Sequence, residues 1–541
     1  KELIMGQMRM RSILVVMLLF VISLGHSQTK NLSKLGEDDA NEHFQHKNYL
    51  MAIPIYRKEL KKYPDNDQMR YKLAKCLLYT RINRQEAVQH LEKLVNKNDK
   101  YAEAWKELGK AYHLTNQLEK AENAYKKYVE LKPKKEEEIK YFLKQIANAR
   151  VYMNNPVNVT FQNMGPEINS DEPDYYPFVN NTETFLGFTS RRKENFGGKK
   201  VEMDGYRSSD VYFSKIEDGN GKWIKPVNAG KLINTGFDEQ IVGLKKDASE
   251  LVIYIDHVDK YGDLYTTTSK PDSKSGATAG PNFPYQKIKL IDPIINEKIE
   301  TSGSFSEDGS VFFFTRRDKF QEGNNDLFMV RRLPSGKWAP AQKLPPTINT
   351  EYNEDFPFLS EDCQTLYFAS EGHNSMGGYD LFRTVWNPED NSFSKPENLG
   401  YPINSTDDDR SICVTPDNRV GYVSAFRPGG FGDLDIYRIK FNETDQIIRI
   451  LIGQLWLGDS IPEHQPKEII SSIIATNKTT NQEFTFVPHH KTGRFVMSLP
   501  AGKYSILVNA NGYKDLKEEM EISDFGHIEI EKEKNYLLNK K

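Results

Sequence analysis

Cysteine is scarce: Cys76, Cys363 and Cys413 are the only three in 541 residues. So few thiols exclude a disulfide framework, and their spacing fits no zinc-binding pattern. Charge of one sign is missing too. Lysine and arginine number 73 against 76 acidic residues, a net charge of −3, without the basic excess that nucleic-acid binders carry. Long apolar runs are absent after the first 24 residues, so no transmembrane span is expected. No G-x-S-x-G elbow, Walker loop or G-x-G-x-x-G follows a strand. His43 and His46 stand in HFQH, a spacing that suits a metal, but HExxH and a third ligand are missing, which leaves a solvated helix face. No catalytic, cofactor-binding or metal-ligating residue is expected, and no cofactor.

What is present begins with a leader. Arg9 and Arg11 precede an apolar stretch at 13–24, and Gly25-His26-Ser27 ends in small residues. This is a secretory signal peptide over 1–27, with cleavage leaving Gln28 first. Since no cysteine stands at the cleavage point, the reading is an exported, periplasmic protein without a lipid anchor.

Residues 28–153 follow helical periodicity. Within 102–135, Trp105, Leu108, Gly109, Tyr112, Ala121, Tyr125 and Pro133 match the tetratricopeptide pattern at nearly every diagnostic position. Ala40, Ala52, Tyr56 and Pro64 mark an earlier copy, and Tyr71, Ala74, Leu78, Ala87 and Leu91 a weaker one between them. The remainder, 136–153, reads as a capping helix. Counting from the repeat places Asn41, Phe44, Lys72, Tyr79, Lys106, Lys110 and His113 on the concave face, a surface suited to an extended partner segment bearing carboxylates.

Over 156–442 one pattern recurs five times. An apolar strand (185–190, 251–256, 311–316, 366–370, 420–425) is followed by Asp, an aliphatic and an aromatic, beginning at Asp210, Asp263, Asp326, Asp380 and Asp435. An Ile-Asn pair closes the unit at Asn234, Asn296, Asn349 and Asn404, and a fifth, ending at Asn169, stands before the first unit. Short repeated β-units cannot bury their faces singly, and radial stacking leaves only short edges. The expectation is a five-bladed β-propeller whose last blade is completed by the strand at 159–170. Five recurring Asp argue for a structural role, as acceptors of backbone N–H groups at turns. Asp407-Asp408-Asp409 and the acids after other Ile-Asn pairs (Asp238, Glu354, Asp355) are read as turn formers. Cys363 falls in a turn and Cys413 in a strand at the position of Phe358, so they do not pair.

Residues 446–535 alternate as strands. Phe495, Met497 and Leu499 share one face, as do Tyr504, Ile506 and Val508, which predicts a seven-stranded transthyretin/Ig-like β-sandwich, with the strand pattern fading near Lys532. The fold class is therefore multidomain α and β: α-solenoid, propeller, sandwich.

These modules carry a resemblance. The repeat units, with the Asp308-Gly309 turn and the Asp-Leu-Tyr/Phe strand, resemble the TolB-like, WD-repeat-like family. The G-x-F…LPAG-x-Y…GY run at 493–513 is similar to the carboxypeptidase regulatory-like domain. In this order the modules resemble the periplasmic PorE-like proteins of Bacteroidetes. That resemblance implies a non-enzymatic scaffold of the type IX secretion and gliding machinery, with a PorP/SprF-like outer-membrane component as partner. It also implies peptidoglycan binding where an OmpA-type module is present, and no segment here matches one. The alternative is a propeller-based hydrolase, lyase or small-ligand binder, which a pocket at the propeller axis lined by unique charged residues would favour.

Overall fold

The computed structural model describes residues 32–198, 201–202, 204–216, 222–256, 262–269, 285–318, 324–442, 448–458, 471–522 and 532–541. The leader and its cleavage point lie outside them. By contact density the chain forms two compact units, 1–147 with 200–207, and 148–199 with 208–541.

The first unit is helical. Helices α1 (Glu37–Gln45), α2 (Tyr49–Lys62), α3 (Asp67–Tyr79), α4 (Arg84–Lys97), α5 (Ala102–Leu114), α6 (Leu118–Leu131) and α7 (Glu136–Asn154) succeed one another through short turns. Three begin at asparagine caps. The side chains of Asn48, Asn66 and Asn83 accept the N–H of Met51, Met69 and Glu86 at 3.2, 3.0 and 3.0 Å, so donors without an intrahelical partner are satisfied locally. Small residues set the close helix approach: Ala40, Ala52, Ala74, Ala87 and Ala121 are fully buried. A Cβ at Gly109 would lie 2.8 Å from the Tyr125 ring, which stacks in turn on Phe142 of α7 at 5.4 Å.

The second unit is β-rich, and strand β1 (Val159–Asn163) opens it. Four sheets follow in chain order: β2 (Asp174–Val179), β3 (Phe185–Ser190), β4 (Asp210–Lys215) and β5 (Val227–Asn228); β6 (Asp238–Leu244), β7 (Glu250–Asp256), β8 (Asp263–Thr268) and β9 (Lys289–Leu290); β10 (Ile299–Phe305), β11 (Val311–Arg317), β12 (Asp326–Arg331) and β13 (Gln342–Lys343); and β14 (Glu354–Leu359), β15 (Thr365–Ser370) and β16 (Asp380–Asn387), with β17 (Ser392–Phe393) and β18 (Glu397–Asn398) both on β16. The fifth sheet joins β19 (Ile412–Val414), β20 (Val420–Ala425) and β21 (Asp435–Phe441) to β1, which pairs antiparallel with β21 from Val159↔Phe441 to Asn163↔Tyr437. Each apolar strand read from the sequence is the second strand of its sheet, and each Asp-aliphatic-aromatic triplet opens the third. First strands of successive sheets touch: β2 on β6, β6 on β10, β10 on β14. The Asp409 N–H reaches the Tyr379 carbonyl between the fourth and fifth sheets at 2.6 Å, and the fifth returns to the first through β2 on β19 and β20.

One asparagine holds each of these junctions. Asn234 accepts the Val211 N–H at 2.9 Å and donates to the Val211 carbonyl at 2.9 Å. Asn296 does the same to Leu264, Asn349 to Leu327, Asn404 to Leu381, and Asn169 to Ile436, at 2.8–3.1 Å throughout. The primary amide therefore acts as one more strand residue, accepting the third-strand N–H and adding a second donor to the C=O, which also accepts the N–H of Ala229, Ile291, Leu344, Leu399 or Met164 in its own sheet. The preceding Ile168, Ile233, Ile295, Ile348 and Ile403 are buried beside it. Asp210, Asp380 and Asp435 accept loop N–H groups of Phe196, Met376 and Phe431 at 2.8–2.9 Å and an asparagine amide each, from Asn228, Asn398 and Asn163. Asp326 departs from the pattern and pairs with Lys343 at 2.7 Å.

The acids after the Ile-Asn pairs require a correction. Of the acids read as turn formers, Glu354, Asp355 and Asp409 are buried carboxyl groups, and Asp174, Glu239 and Glu300 are buried likewise. Glu354 accepts the Thr350 N–H and hydroxyl at 2.8 and 2.7 Å, and Asp409 accepts those of Ser405 at 2.7 and 2.9 Å. Arg192 lies 3.1 Å from Asp174 and Arg316 lies 2.8 Å from Glu300. Burial pushes Glu239, Glu354 and Asp409 up to about 7. Asp408 of the same run pairs with Arg410 at 3.3 Å.

The C-terminal strands form two further sheets, β25 (Arg494–Pro500), β22 (Ile448–Leu457), β28 (Lys532–Glu533) and β29 (Tyr536–Leu538) in one, β24 (Glu483–Phe486), β23 (Ser471–Asn477), β26 (Gly502–Ala510) and β27 (Leu516–Ile522) in the other. Phe495, Met497, Leu499, Tyr504, Ile506 and Val508 are buried in their shared core. Strands continue past residue 535: β28 and β29 run parallel to β22 as one interrupted edge, and Tyr536 and Leu538 are buried. Three residues are too short for a periodicity to register. Gly453 is required there, because a Cβ would lie 1.8 Å from the Lys534 carbonyl oxygen.

Two outcomes follow for stability. Asn169→Ala leaves the buried N–H of Ile436 unmatched, while its C=O keeps the Met164 N–H, and should cost about 1–3 kcal/mol by urea denaturation. Replacing residues 159–170 with a Gly-Ser linker should lower the midpoint of the β-rich unit further, while removing residues 28–147 leaves it unchanged. Equal midpoints for the two deletions would rule out a closing role for β1. The raised carboxyl groups fix a pH dependence. The folded chain keeps protons that the unfolded chain releases near pH 4–4.5, so stability falls as pH rises from about 4.5 to 7. His43 and His90, lowered by burial, pull the opposite way. The triple variant Glu239→Gln, Glu354→Gln, Asp409→Asn therefore isolates the carboxyl contribution, and its melting temperature should fall less between pH 5 and 7.5 than that of the parent chain.

Candidate functional site

The face expected to be functional lies on the first helix of each helical pair. Successive positions on α1, α3 and α5 repeat at three- and four-residue spacing and so share one side. Asn41 and Phe44 meet Lys72 across the α1–α3 boundary. The Lys72 ammonium donates to Asn41 Oδ1 at 2.7 Å and sits 5.9 Å from the Phe44 ring centroid. Tyr56 of α2 donates its hydroxyl to the same Asn41 oxygen at 2.8 Å. Lower on α3, Tyr79 is 48% exposed, stacks on Tyr49 at 5.5 Å, and carries the Lys110 ammonium 4.3 Å above its ring.

Lys106 is placed differently from its neighbours, in an ion pair with Glu138 of α7 and 5.9 Å from the Tyr128 ring. His113 corrects the sequence reading. It is only 5% exposed, since counting repeat positions assumes an open face along all of α5 and the last turn of that helix is covered. Three residues escaped the sequence reading. Lys75 sits one turn from both Lys72 and Tyr79, 5.7 Å from the Tyr71 ring and 3.4 Å from Glu107. Its spacing was a usable signal. Tyr71 follows the same periodicity and packs on Tyr101 at 5.5 Å. Tyr49 begins a second helix and was invisible to a rule drawn from first helices. Burial raises the hydroxyls of Tyr49, Tyr71 and Tyr79, so these rings stay neutral at any working pH. The face therefore offers apolar ring surface and ammonium donors.

The middle of the circuit of sheets was the alternative location. Tyr176 of β2 and Phe356 of β14 stand at register shifts with φ of +54° and +50°. Their rings meet at 4.4 Å, although the first and fourth sheets are not neighbours. The contact spans the centre. Asp355 beside it accepts from Thr301, Ser302 and Asn325 side chains at 2.9, 2.7 and 2.8 Å, and Arg410 lies 4.5 Å from the Tyr379 ring. Asp355 is thus saturated with donors and Arg410 is paired with Asp408, an arrangement that anchors strands. Among the described residues, no group of three His, Cys, Asp or Glu is placed to hold a metal ion, and no helix is long and apolar enough to cross a membrane.

Comparison with known proteins agrees with the helical part of this description. No curated protein matches the chain. Similar solved structures include the first tetratricopeptide domain of Spaghetti (RPAP3) bound to the HSP90 peptide SRMEEVD, 24% identical over 21% of this chain and 90% of that one, TM-score 0.20. MamA is 23% identical over 22% and 67%, TM-score 0.20. TolB from Acinetobacter baumannii is 13% identical over 62% and 66%, TM-score 0.27. The tetratricopeptide repeat family matches over 83–146, the stretch that runs from the start of α4 into α7.

Proposed function

We propose that the chain is a non-enzymatic scaffold of the bacterial cell envelope, binding other proteins through its helical repeats. The observation that carries this reading is the ammonium and tyrosine face of α1, α3 and α5, in a region whose repeat family builds concave binding surfaces. The five sheets, four of them four-stranded and one five-stranded, are read as the blades of a five-bladed propeller, and the C-terminal pair of sheets as a transthyretin/Ig-like sandwich. Both are read as rigid modules. The Tyr176–Phe356 contact across the centre supports a structural role for the sheets over a catalytic funnel. From the resemblance to PorE-like proteins, the assembly is the type IX secretion and gliding machinery, and the partner is a PorP/SprF-like outer-membrane component. Export by the leader at 1–27 places the mature chain in the periplasm.

Changing Lys72, Lys106 and Lys110 together to Glu reverses the charge of the face with little change in helix propensity. Melting should stay within a few degrees of the parent, and envelope proteins that co-purify with the tagged parent should be lost. Retention of every partner would remove the groove from the account. N-terminal sequencing of the mature protein from an envelope fraction should begin at Gln28, and a start at Met5 or Met8 would contradict export by cleavage.

A further inference from the structure

The buried acids at the start of the first strands differ in how well they are matched. Asp174 accepts from Ser170 and from Arg192. Glu300 accepts the Lys298 N–H and the guanidinium of Arg316, its cross-strand neighbour. Glu354 accepts from Thr350 and from the hydroxyl of Ser370, its own cross-strand neighbour. In all three, both carboxyl oxygens have a donor. Glu239 stands opposite Ile255, a side chain with nothing to donate. Thr235 reaches Glu239 Oε1, while Oε2 is buried without a partner.

The adjoining third strand of the first sheet is short of donors at the same point. Asp210 Oδ2 takes the Phe196 N–H and the Asn228 amide, whereas Oδ1 is buried and takes none. The two strands meet here, since the Glu239 N–H donates to the Ser209 carbonyl at 3.0 Å. Ser190 lies directly across β3 from Asp210, on the same face of the sheet, and Ser208 precedes Asp210 by two residues. Both bury a hydroxyl oxygen that has no partner. All four side chains are at most 1% exposed. The loop above leaves the hydroxyl uncovered only because it carries Gly197, where a Cβ would come 1.9 Å from Ser208 Oγ. Positive charge is missing as well. Arg191 lies 4.0 Å from Asp238, and among the described residues no lysine or arginine forms an ion pair with Asp210 or Glu239. Burial raises both carboxyl groups, and the charge of Asp210 adds to the effect on Glu239. Two buried acceptors of like charge cannot match each other. A water molecule would supply two donors but no charge.

We infer that the junction of the first and second sheets binds one calcium-class divalent cation, held by Asp210 Oδ1, Glu239 Oε2 and the hydroxyl oxygens of Ser190 and Ser208. A hard cation of this class takes about six to eight oxygen ligands in flexible geometry, with carbonyls or water completing the set. Magnesium demands a near-ideal octahedron and keeps its water, which side chains fixed on strands serve poorly. The site has two carboxylates rather than three, with hydroxyls making up the difference. The cation does at this junction what the Arg316 guanidinium does for Glu300: it neutralises a first-strand acid whose cross-strand neighbour here is isoleucine. It thereby ties the first sheet to the second, and in chelator the carboxyl pair reverts to its protonated form.

The test uses residues 28–541, stripped with EDTA and dialysed, and titrated with terbium, a luminescent substitute for calcium excited through the aromatic residues of the chain. Terbium should bind, and calcium should displace it at least about tenfold more effectively than magnesium. About 1 mM calcium should raise the melting temperature of the β-rich unit by a few degrees over its value in EDTA. Glu239→Gln and Asp210→Asn should each weaken terbium at least about tenfold and abolish the calcium shift. Because Asp210 also holds the Phe196 loop, Glu239→Gln is the deciding variant, and its melting temperature in EDTA should not fall below that of the parent. Asp326→Asn, which removes an acid paired with the exposed Lys343, should bind as the parent does. A parent that neither binds terbium nor melts higher in calcium has water in the junction and overturns the inference. Parent affinity in Glu239→Gln overturns it equally.

Discussion

The β-rich unit depends on a side-chain amide that behaves as backbone. The third strand in each sheet has at its second residue an N–H that one asparagine satisfies, and the same amide adds a second donor to that residue's carbonyl. Leaving such groups buried and unmatched is expensive. The amide can reach them only if the connection between sheets holds one path, with the preceding isoleucine buried beneath it. Each junction is thereby fixed in register and direction by two hydrogen bonds and one apolar side chain. Five repetitions set the succession of sheets, and the fifth uses Asn169 from the start of the unit against Ile436 near its end. A chain that would otherwise expose two sheet edges closes on itself.

Much of this was legible in the sequence because the repeated residues each do one physical job. Asp-aliphatic-aromatic opens a third strand, Ile-Asn closes a junction, and an apolar run such as 420–425 makes a fully buried second strand. Period-two alternation exposed the apolar core of the C-terminal sheets at Phe495, Met497 and Leu499. What stayed hidden lacked a local signature. Tyr176 and Phe356 sit in left-handed backbone at register shifts, and their meeting at the centre depends on two strands 180 residues apart. Acids after Ile-Asn look like turn formers because burial is a tertiary property, and Glu239, Glu354 and Asp409 show no sequence mark of it. In the helical unit the repeat count grouped Asn41, Phe44 and Lys72, which the fold sets side by side, with Tyr79 and Lys110, which meet each other. It misplaced His113, and it missed Tyr49, which reaches the face from a second helix.

The two regions divide the work by the chemistry of their surfaces. In the sheets, charged groups are spent on one another or on backbone, as with Arg316 and Glu300 at 2.8 Å, and aromatic rings close the centre. In the helical repeats, close packing is assigned to alanines, Gly109 and Tyr125, which frees tyrosines and lysines of the first helices for a surface role. Recognition placed on rigid helices keeps donors in fixed geometry before a partner arrives, which lowers the entropy lost on binding.

The account rests most directly on the junction asparagines acting as one closed set, and native-state hydrogen exchange of the bracketed amides measures that. The N–H groups of Val211, Leu264, Leu327, Leu381 and Ile436 should exchange only through global opening of the β-rich unit, with a common free energy in rising denaturant. Exchange of Ile436 at a lower free energy than Leu381, through local release of β1 and Asn169, would show an open succession of sheets and contradict the account.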